Sequence, residues 1–174
     1  PYAISKLFAY FMVKNFREAY NIFATNGILF NHESPRRGES FVTRKISQGV
    51  SNIINKQQDK IYLGNLNAKR DWGYAKDYVE GMWMILQHTH ADDFTCATGI
   101  SHTVRDLCRY TFDTLDMNYE DYVFQNPKYL RPKELKYVRE DSTKNRTKLG
   151  WKPTYSFETL LDEMTEYWMK ILVK

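Results

Sequence analysis

Cysteine is scarce in this sequence: Cys96 and Cys108 are the only two among 174 residues. Two thiols at that spacing make neither a disulfide framework nor a zinc pattern, so no metal site is expected. Both lie in apolar surroundings, which predicts reduced core cysteines and a cytoplasmic location. No stretch of about 18 apolar residues occurs, so no membrane-spanning helix is expected. No signal peptide is visible. Blocks of like charge are missing as well. The 25 Lys and Arg and 21 Asp and Glu are spread along the chain and leave a net charge of +4. That mild excess suits an anionic small ligand, and the want of a basic stripe argues against nucleic acid. There is no internal repeat. There is also no glycine-rich strand–turn–helix: the eight glycines are scattered singly.

What is present is aromatic. Phe, Trp and Tyr make up 16% of the chain within a hydrophobic total of 43%, which favours a folded chain with pockets and flat apolar faces over disorder. Ile4, Leu7, Phe8, Phe11, Met12, Phe16 and Tyr20 recur at helical spacing and predict a helix over 2–20. The load is heavy for one core face, so part of it is expected to pack against another subunit. Residues 28–30 predict a short strand, 31–40 a polar loop, and 41–56 a helix weakened by Gly49. A strand is expected over 60–65, a loop over 68–77, a helix from there to 87, and a strand over 93–99. Thr103, with Asp106 three residues on, opens a helix with a capping box. A weak strand over 121–126, a loop over 127–135, a short helix from Ser142 to Gly150 and a closing amphipathic helix from 156 complete the pattern. Asp77 reads as a helix cap, Arg44 as a surface residue, and Trp83, Trp151 and Trp168 as core. Alternating helices and strands argue an α/β fold, with a smaller α/β lobe from the basic loop onward. The helix beginning directly after Pro1 predicts a piece of a longer protein.

Tyr2 and Lys6 stand four apart on one helical face. Tyrosine is a poor base at neutral pH, but a neighbouring ammonium favours the phenolate, and such a pair takes a proton from an alcohol as hydride leaves its carbon. Standing alone, the pair reads more readily as two neighbours on a solvated face, since Tyr-x-x-x-Lys recurs by chance in many helices. Downstream, His32, Arg36 and Arg37 bring donors and positive charge just after a strand end, where open α/β sheets place ligands.

The stretches PYAISKLFAYFMVKNFREAY, GILFNHESPRRGESFVTRKI and GNLNAKRDWGYAKDYVEGMW, with RPKEL at 131–135, resemble the extended short-chain dehydrogenase/reductases. Within that group they look like the GDP-mannose 4,6-dehydratases. DSTKNRTKLGWKPTYSFETLL is shared more broadly among nucleotide-sugar enzymes. The resemblance implies the C-terminal part of an NAD(P)-binding Rossmann-type fold. Residues 1–30 would be the last helix and strand of the dinucleotide-binding domain. Residues 31–174 would be mainly the sugar-nucleotide lobe, with the stretch from 71 to 99 returning to the sheet. The glycine-rich βαβ unit would be absent.

The implied reaction is dehydration of GDP-mannose to GDP-4-keto-6-deoxymannose, towards GDP-fucose and other GDP-deoxyhexoses, with NADP as a recycled hydride carrier. Carried over residue by residue, Tyr2 and Lys6 are catalytic and touch the cofactor, together with His32 and Arg37. Asn31, Val42, Lys45, Arg70, Arg131 and Glu134 belong to the sugar nucleotide. Lys45 supplies a point charge, Arg70 and Arg131 fork onto the diphosphate, and Glu134 accepts from the ribose or the guanine edge. The family's threonine and glutamate partners lie upstream of its tyrosine and are not among these residues. The resemblance also implies a homodimer or homotetramer built on the tyrosine-bearing helix. Two other readings stay open: a different nucleotide-sugar dehydratase or epimerase, and a non-catalytic remnant serving as a binding or assembly module.

Overall fold

The computed structural model describes residues 1–130 and 141–172. Helix α1 (Tyr2–Tyr20) leads into strand β1 (Asn26–Leu29) and, one residue on, β2 (Asn31–Glu33). Then come α2 (Val42–Ile54), β3 (Ile61–Leu63), β4 (Lys69–Tyr74), α3 (Ala75–Leu86), β5 (Asp93–Cys96), β6 (Ser101–Thr103) and α4 (Val104–Asp113). Strand β7 (Val123–Gln125), α5 (Thr143–Leu149) and α6 (Phe157–Leu172) follow, with single 3-10 turns at Tyr119–Asp121 and Pro127–Tyr129. No helix among the described residues is long and apolar enough to cross a membrane.

The strands form three small sheets. β1 pairs in parallel with β5, from Asn26 opposite Asp93 to Leu29 opposite Cys96. β2 pairs in parallel with β4, which takes β6 antiparallel on its other side, Arg70 opposite His102. β3 pairs in parallel with β7. Parallel neighbours need crossovers, and here the helices provide them. The α/β expectation holds, but there are more strands than the sequence pattern predicts. The segments 31–40 and 68–77, expected as loops, open with β2 and contain β4. β2 is polar (Asn-His-Glu) because it borders a cavity, so it lacks the apolar alternation that marks a strand.

Among the described residues, two apolar clusters hold the fold. In the larger, Ile46 and Val50 of α2 meet Leu107 and Phe112 of α4, Leu160 and Met164 of α6, Ile61 of β3 and Trp72 of β4. Each such side chain, fully buried, contributes about 1.5–3 kcal/mol of transfer free energy. The smaller joins Tyr78 and Ile85 of α3 to Phe94 and Cys96 of β5 and to Trp151. Gly49, costly in helix propensity, has a packing role in α2. A Cβ there would lie 2.6 Å from the Ile61 side chain, so the glycine lets helix and strand approach. Trp151 and Trp168 are buried as expected; Trp83 is not, being exposed on α3.

Polar locks join the pieces. The Thr103–Asp106 capping box is complete, each side chain taking the other's backbone N–H. Asp77 departs from its expected capping role. Buried in the first turn of α3, its carboxylate accepts from the Thr154 hydroxyl at 2.6 Å and the Thr154 amide at 2.9 Å, pinning the connector to α6. Asn145 of α5, which opens the acceptor pattern Asn145-Arg146-Thr147, is fully buried, its amide donating to the Thr95 carbonyl. Helix α1 is the outlier. It buries no residue, and Ile4, Leu7, Phe8, Phe11 and Phe16 are exposed. It is tied down by Arg17, which forks onto Asp93 at 2.8 and 3.3 Å and donates to the Ala24 carbonyl.

Candidate active site

A cavity of about 360 Å³ opens between β2, β4, the start of α2 and the turn after β3. Four of the residues singled out in the sequence converge on it: Asn31, Val42, Lys45 and Arg70. They come from three elements. Asn31 is the first residue of β2, Val42 and Lys45 lie in the first turn of α2, and Arg70 is the second residue of β4. The parallel pairing of β2 with β4 brings Asn31 opposite Trp72, two residues from Arg70. Strand alternation then sends Asn31 and Glu33 to the cavity and His32 to the other face, its ring 5.3 Å from that of buried Tyr78.

The electrostatics favour an anion. Helix α2 begins at Phe41, which has no side-chain cap for the first-turn amides. A helix start of this kind presents N–H groups and the positive end of the dipole. Lys45 adds a charge beside it, its Nζ 4.0 Å from the centre of the Tyr129 ring. Arg70 lies on the opposite wall, one guanidinium nitrogen donating to the Lys69 carbonyl at 2.6 Å. Gly64 closes the floor against Tyr129. A Cβ there would come within 2.5 Å of the Tyr129 carbonyl oxygen, so only glycine fits.

Glu33 was not legible as a site residue. It is 1% exposed, borders the cavity, and accepts from the Thr43 hydroxyl at 2.5 Å. Its Oε2 also lies 3.0 Å from Arg37 Nε. Burial pushes its pKa above the ordinary carboxylate value, and the Thr43 hydrogen bond and the Arg37 charge oppose that rise. Arg37 in turn lies over the Phe41 ring at 3.5 Å. Arg44, expected as a surface residue, instead clamps this loop. It donates to the Arg37 carbonyl at 2.8 Å and to Glu39 at 3.0 Å, and stacks over Trp168.

Tyr2, Lys6, His32 and Arg37 do not line this cavity. Tyr2 and Lys6 share one face of α1, the ammonium 5.6 Å from the Tyr2 ring centre, with Tyr2 75% exposed; neither borders the cavity. His32 Nδ1 is 2.8 Å from the Phe30 carbonyl. A carbonyl only accepts, so Nδ1 carries a proton, and in the neutral ring Nε2 is the acceptor. Arg131 and Glu134 lie outside the described residues. Tyr2, Lys6, His32 and Arg37 carry groups of the kind a nicotinamide dinucleotide needs. They offer a phenol, an ammonium, an imidazole acceptor and a guanidinium, the donors and charges that ribose and phosphate groups need.

The family model described as GDP-mannose 4,6 dehydratase matches residues 1–164. GDP-mannose 4,6 dehydratase 2 of Arabidopsis thaliana is 49% identical, over 95% of this chain and 44% of its own length. GDP-mannose 4,6 dehydratase of Homo sapiens is 48% identical, over 94% of this chain and 49% of its own length. The chain thus spans about half the length of the curated relatives it matches. Among solved structures, that of RMD from Pseudomonas aeruginosa complexed with NADPH superposes with a TM-score of 0.86 at 21% identity, over 98% of this chain and 56% of that one. An identity that low speaks for the fold alone, which is that of the extended short-chain dehydrogenase/reductases. Sequence and fold together place the chain in the GDP-mannose 4,6-dehydratase family.

Proposed function

We propose that the chain is the C-terminal half of an enzyme that dehydrates GDP-mannose to GDP-4-keto-6-deoxymannose, with NADP as its recycled cofactor. One observation carries the reading: Asn31, Val42, Lys45 and Arg70, separated by up to 39 positions in sequence, line a single cavity with a helix start and two cations. That is the chemistry a nucleoside diphosphate demands. In this reading Lys45 and the first turn of α2 meet the diphosphate, Arg70 forks onto it, and Asn31 hydrogen-bonds the sugar. Arg131 and Glu134 complete the nucleotide end.

Bound nicotinamide supplies the hydride acceptor and donor for such a reaction. Tyr2 takes the O4 proton of the hexose, and the Lys6 ammonium stabilises the negative charge of the phenolate. His32 Nε2 accepts from a dinucleotide hydroxyl or amide, and Arg37 holds negative charge. The base for C5 comes from outside these residues. The NADPH in the Pseudomonas structure supports a nicotinamide cofactor here, and Arg37 favours the phosphorylated form.

The two apolar clusters support a division into a dinucleotide-binding part around β1, β5 and α3 and a sugar-nucleotide lobe around α2, α4 and α6. The exposed apolar face of α1 supports a homodimer or homotetramer formed through that helix. The buried thiols support a cytoplasmic enzyme, and the product would feed GDP-fucose and other GDP-deoxyhexoses.

The test is calorimetric titration of the full-length protein with GDP-mannose, dTDP-glucose and UDP-glucose. GDP-mannose binding at least tenfold tighter is expected; equal or tighter binding of either other sugar nucleotide overturns the reading.

A further inference from the structure

Glu33 has no part in the proposed reaction, yet it is the most deeply buried charge bordering the cavity. We propose that Glu33 is a positioning residue whose carboxylate fixes the Arg37 guanidinium for the dinucleotide. The proposal rests on the reading of Arg37 as a cofactor residue.

A buried carboxylate is costly unless it is paired and hydrogen-bonded. Here both conditions are met through one oxygen, with Thr43 Oγ1 at 2.5 Å and Arg37 Nε at 3.0 Å. The contact to Nε, the inner nitrogen of the guanidinium, is an ion pair by distance, its N–H not aligned as a hydrogen bond. The outer Nη edge makes no ion pair or hydrogen bond among the described residues. Phe41 covers the flat face of the group at 3.5 Å, and Arg44 grips the Arg37 carbonyl at 2.8 Å. Glu33 and Phe41 therefore hold the guanidinium and Arg44 holds its main chain, which leaves the Nη pair, the fork that matches a phosphate, for a ligand. Thr43 sits beside Val42 in the first turn of α2. The same carboxylate thus ties the dinucleotide's arginine to the helix that lines the sugar-nucleotide cavity. A purely packing role needs no charge at this position.

The test is a double-mutant cycle in the full-length protein, read as the dissociation constant of NADP⁺. Glu33→Gln keeps the volume and removes the charge. It is expected to weaken NADP⁺ binding about tenfold, and less than twofold when Arg37 is already Ala. Glu33→Asp, which draws the carboxylate back from Arg37, is expected to show a smaller loss that also vanishes in Arg37→Ala; it stands in if Glu33→Gln does not fold. An unchanged NADP⁺ affinity, or the same loss with and without Arg37, overturns the proposal. If the unaltered protein binds neither NADP⁺ nor GDP-mannose, the functional reading falls and takes this one with it. If it binds both and the Glu33 variants are silent, Glu33 alone is refuted.

Discussion

Lys45 and Tyr129 form a wall between two spaces. Nζ of the lysine stands 4.0 Å from the centre of the tyrosine ring, and both side chains line the 360 Å³ cavity and a neighbouring one of about 230 Å³. The ring fixes the ammonium without neutralising it, so the charge stays available to an anion. Lys45→Met is expected to weaken GDP-mannose binding by about tenfold, ~1.4 kcal/mol. The loss should shrink as salt rises, because the lost interaction is electrostatic. Titrations at two ionic strengths check both.

Asp93 anchors α1, and its environment sets an acid limit. Burial raises its pKa, but hydrogen bonds from Arg17, Asn26 and Tyr10 outweigh that and bring it down to about 2. A carboxylate depressed in the folded state stabilises the fold above its ordinary value of 3.8 and loses that contribution as pH falls through about 2. Partial exposure screens the pair, so the contribution is on the order of 1 kcal/mol. Thermal unfolding of Asp93→Asn should therefore show a lower melting temperature at pH 7 and converge with the unaltered chain near pH 2.

The two thiols should be silent. Burial pushes Cys96 up to about 11, despite an Asn145 hydrogen bond, and Cys108 up to about 12. Only a thiolate is a good nucleophile. A thiol-reactive chromogenic disulfide at pH 8 should label neither cysteine in the folded chain and both after denaturation.

Turnover should need more than these residues. They hold no glycine-rich turn for a pyrophosphate, and the proposed reaction takes its C5 base from outside them. The 174-residue chain alone, supplied with GDP-mannose and NADP⁺, should form no 4-keto sugar, and a full-length protein should.

What the sequence made legible follows physical lines. Helices α2, α4 and α6 show themselves because their apolar residues repeat every three or four positions, and α4 carries its capping box in Thr103 and Asp106. Asn31, Val42, Lys45 and Arg70 were found through resemblance; spacing alone does not bring β2, α2 and β4 together. Strands β3, β5 and β7 fall within the stretches the sequence marks as strands and β1 overlaps one, whereas β2 and β6 are not marked, because three residues give hardly more than one alternation and in β2 they face a cavity and Tyr78 and not a continuous core. Asp77 was misread for a related reason. A carboxylate in a first helical turn looks like a cap, and its real partners, Thr154 and Tyr155, lie 77 and 78 positions away. Glu33 has a faint signal: an acidic residue two positions after Asn31 and four before Arg37, with Thr43 ten positions on.

The central claim is that Tyr2 serves as the acid–base of a GDP-mannose dehydration. The direct measurement is formation of GDP-4-keto-6-deoxymannose by the full-length protein, unaltered and as Tyr2→Phe, with GDP-mannose and NADP⁺ supplied. The account predicts product from the unaltered protein and a kcat lower by about 10²–10⁴ in the variant, with GDP-mannose affinity preserved. No 4-keto product from the unaltered protein, or full turnover by Tyr2→Phe, would contradict it.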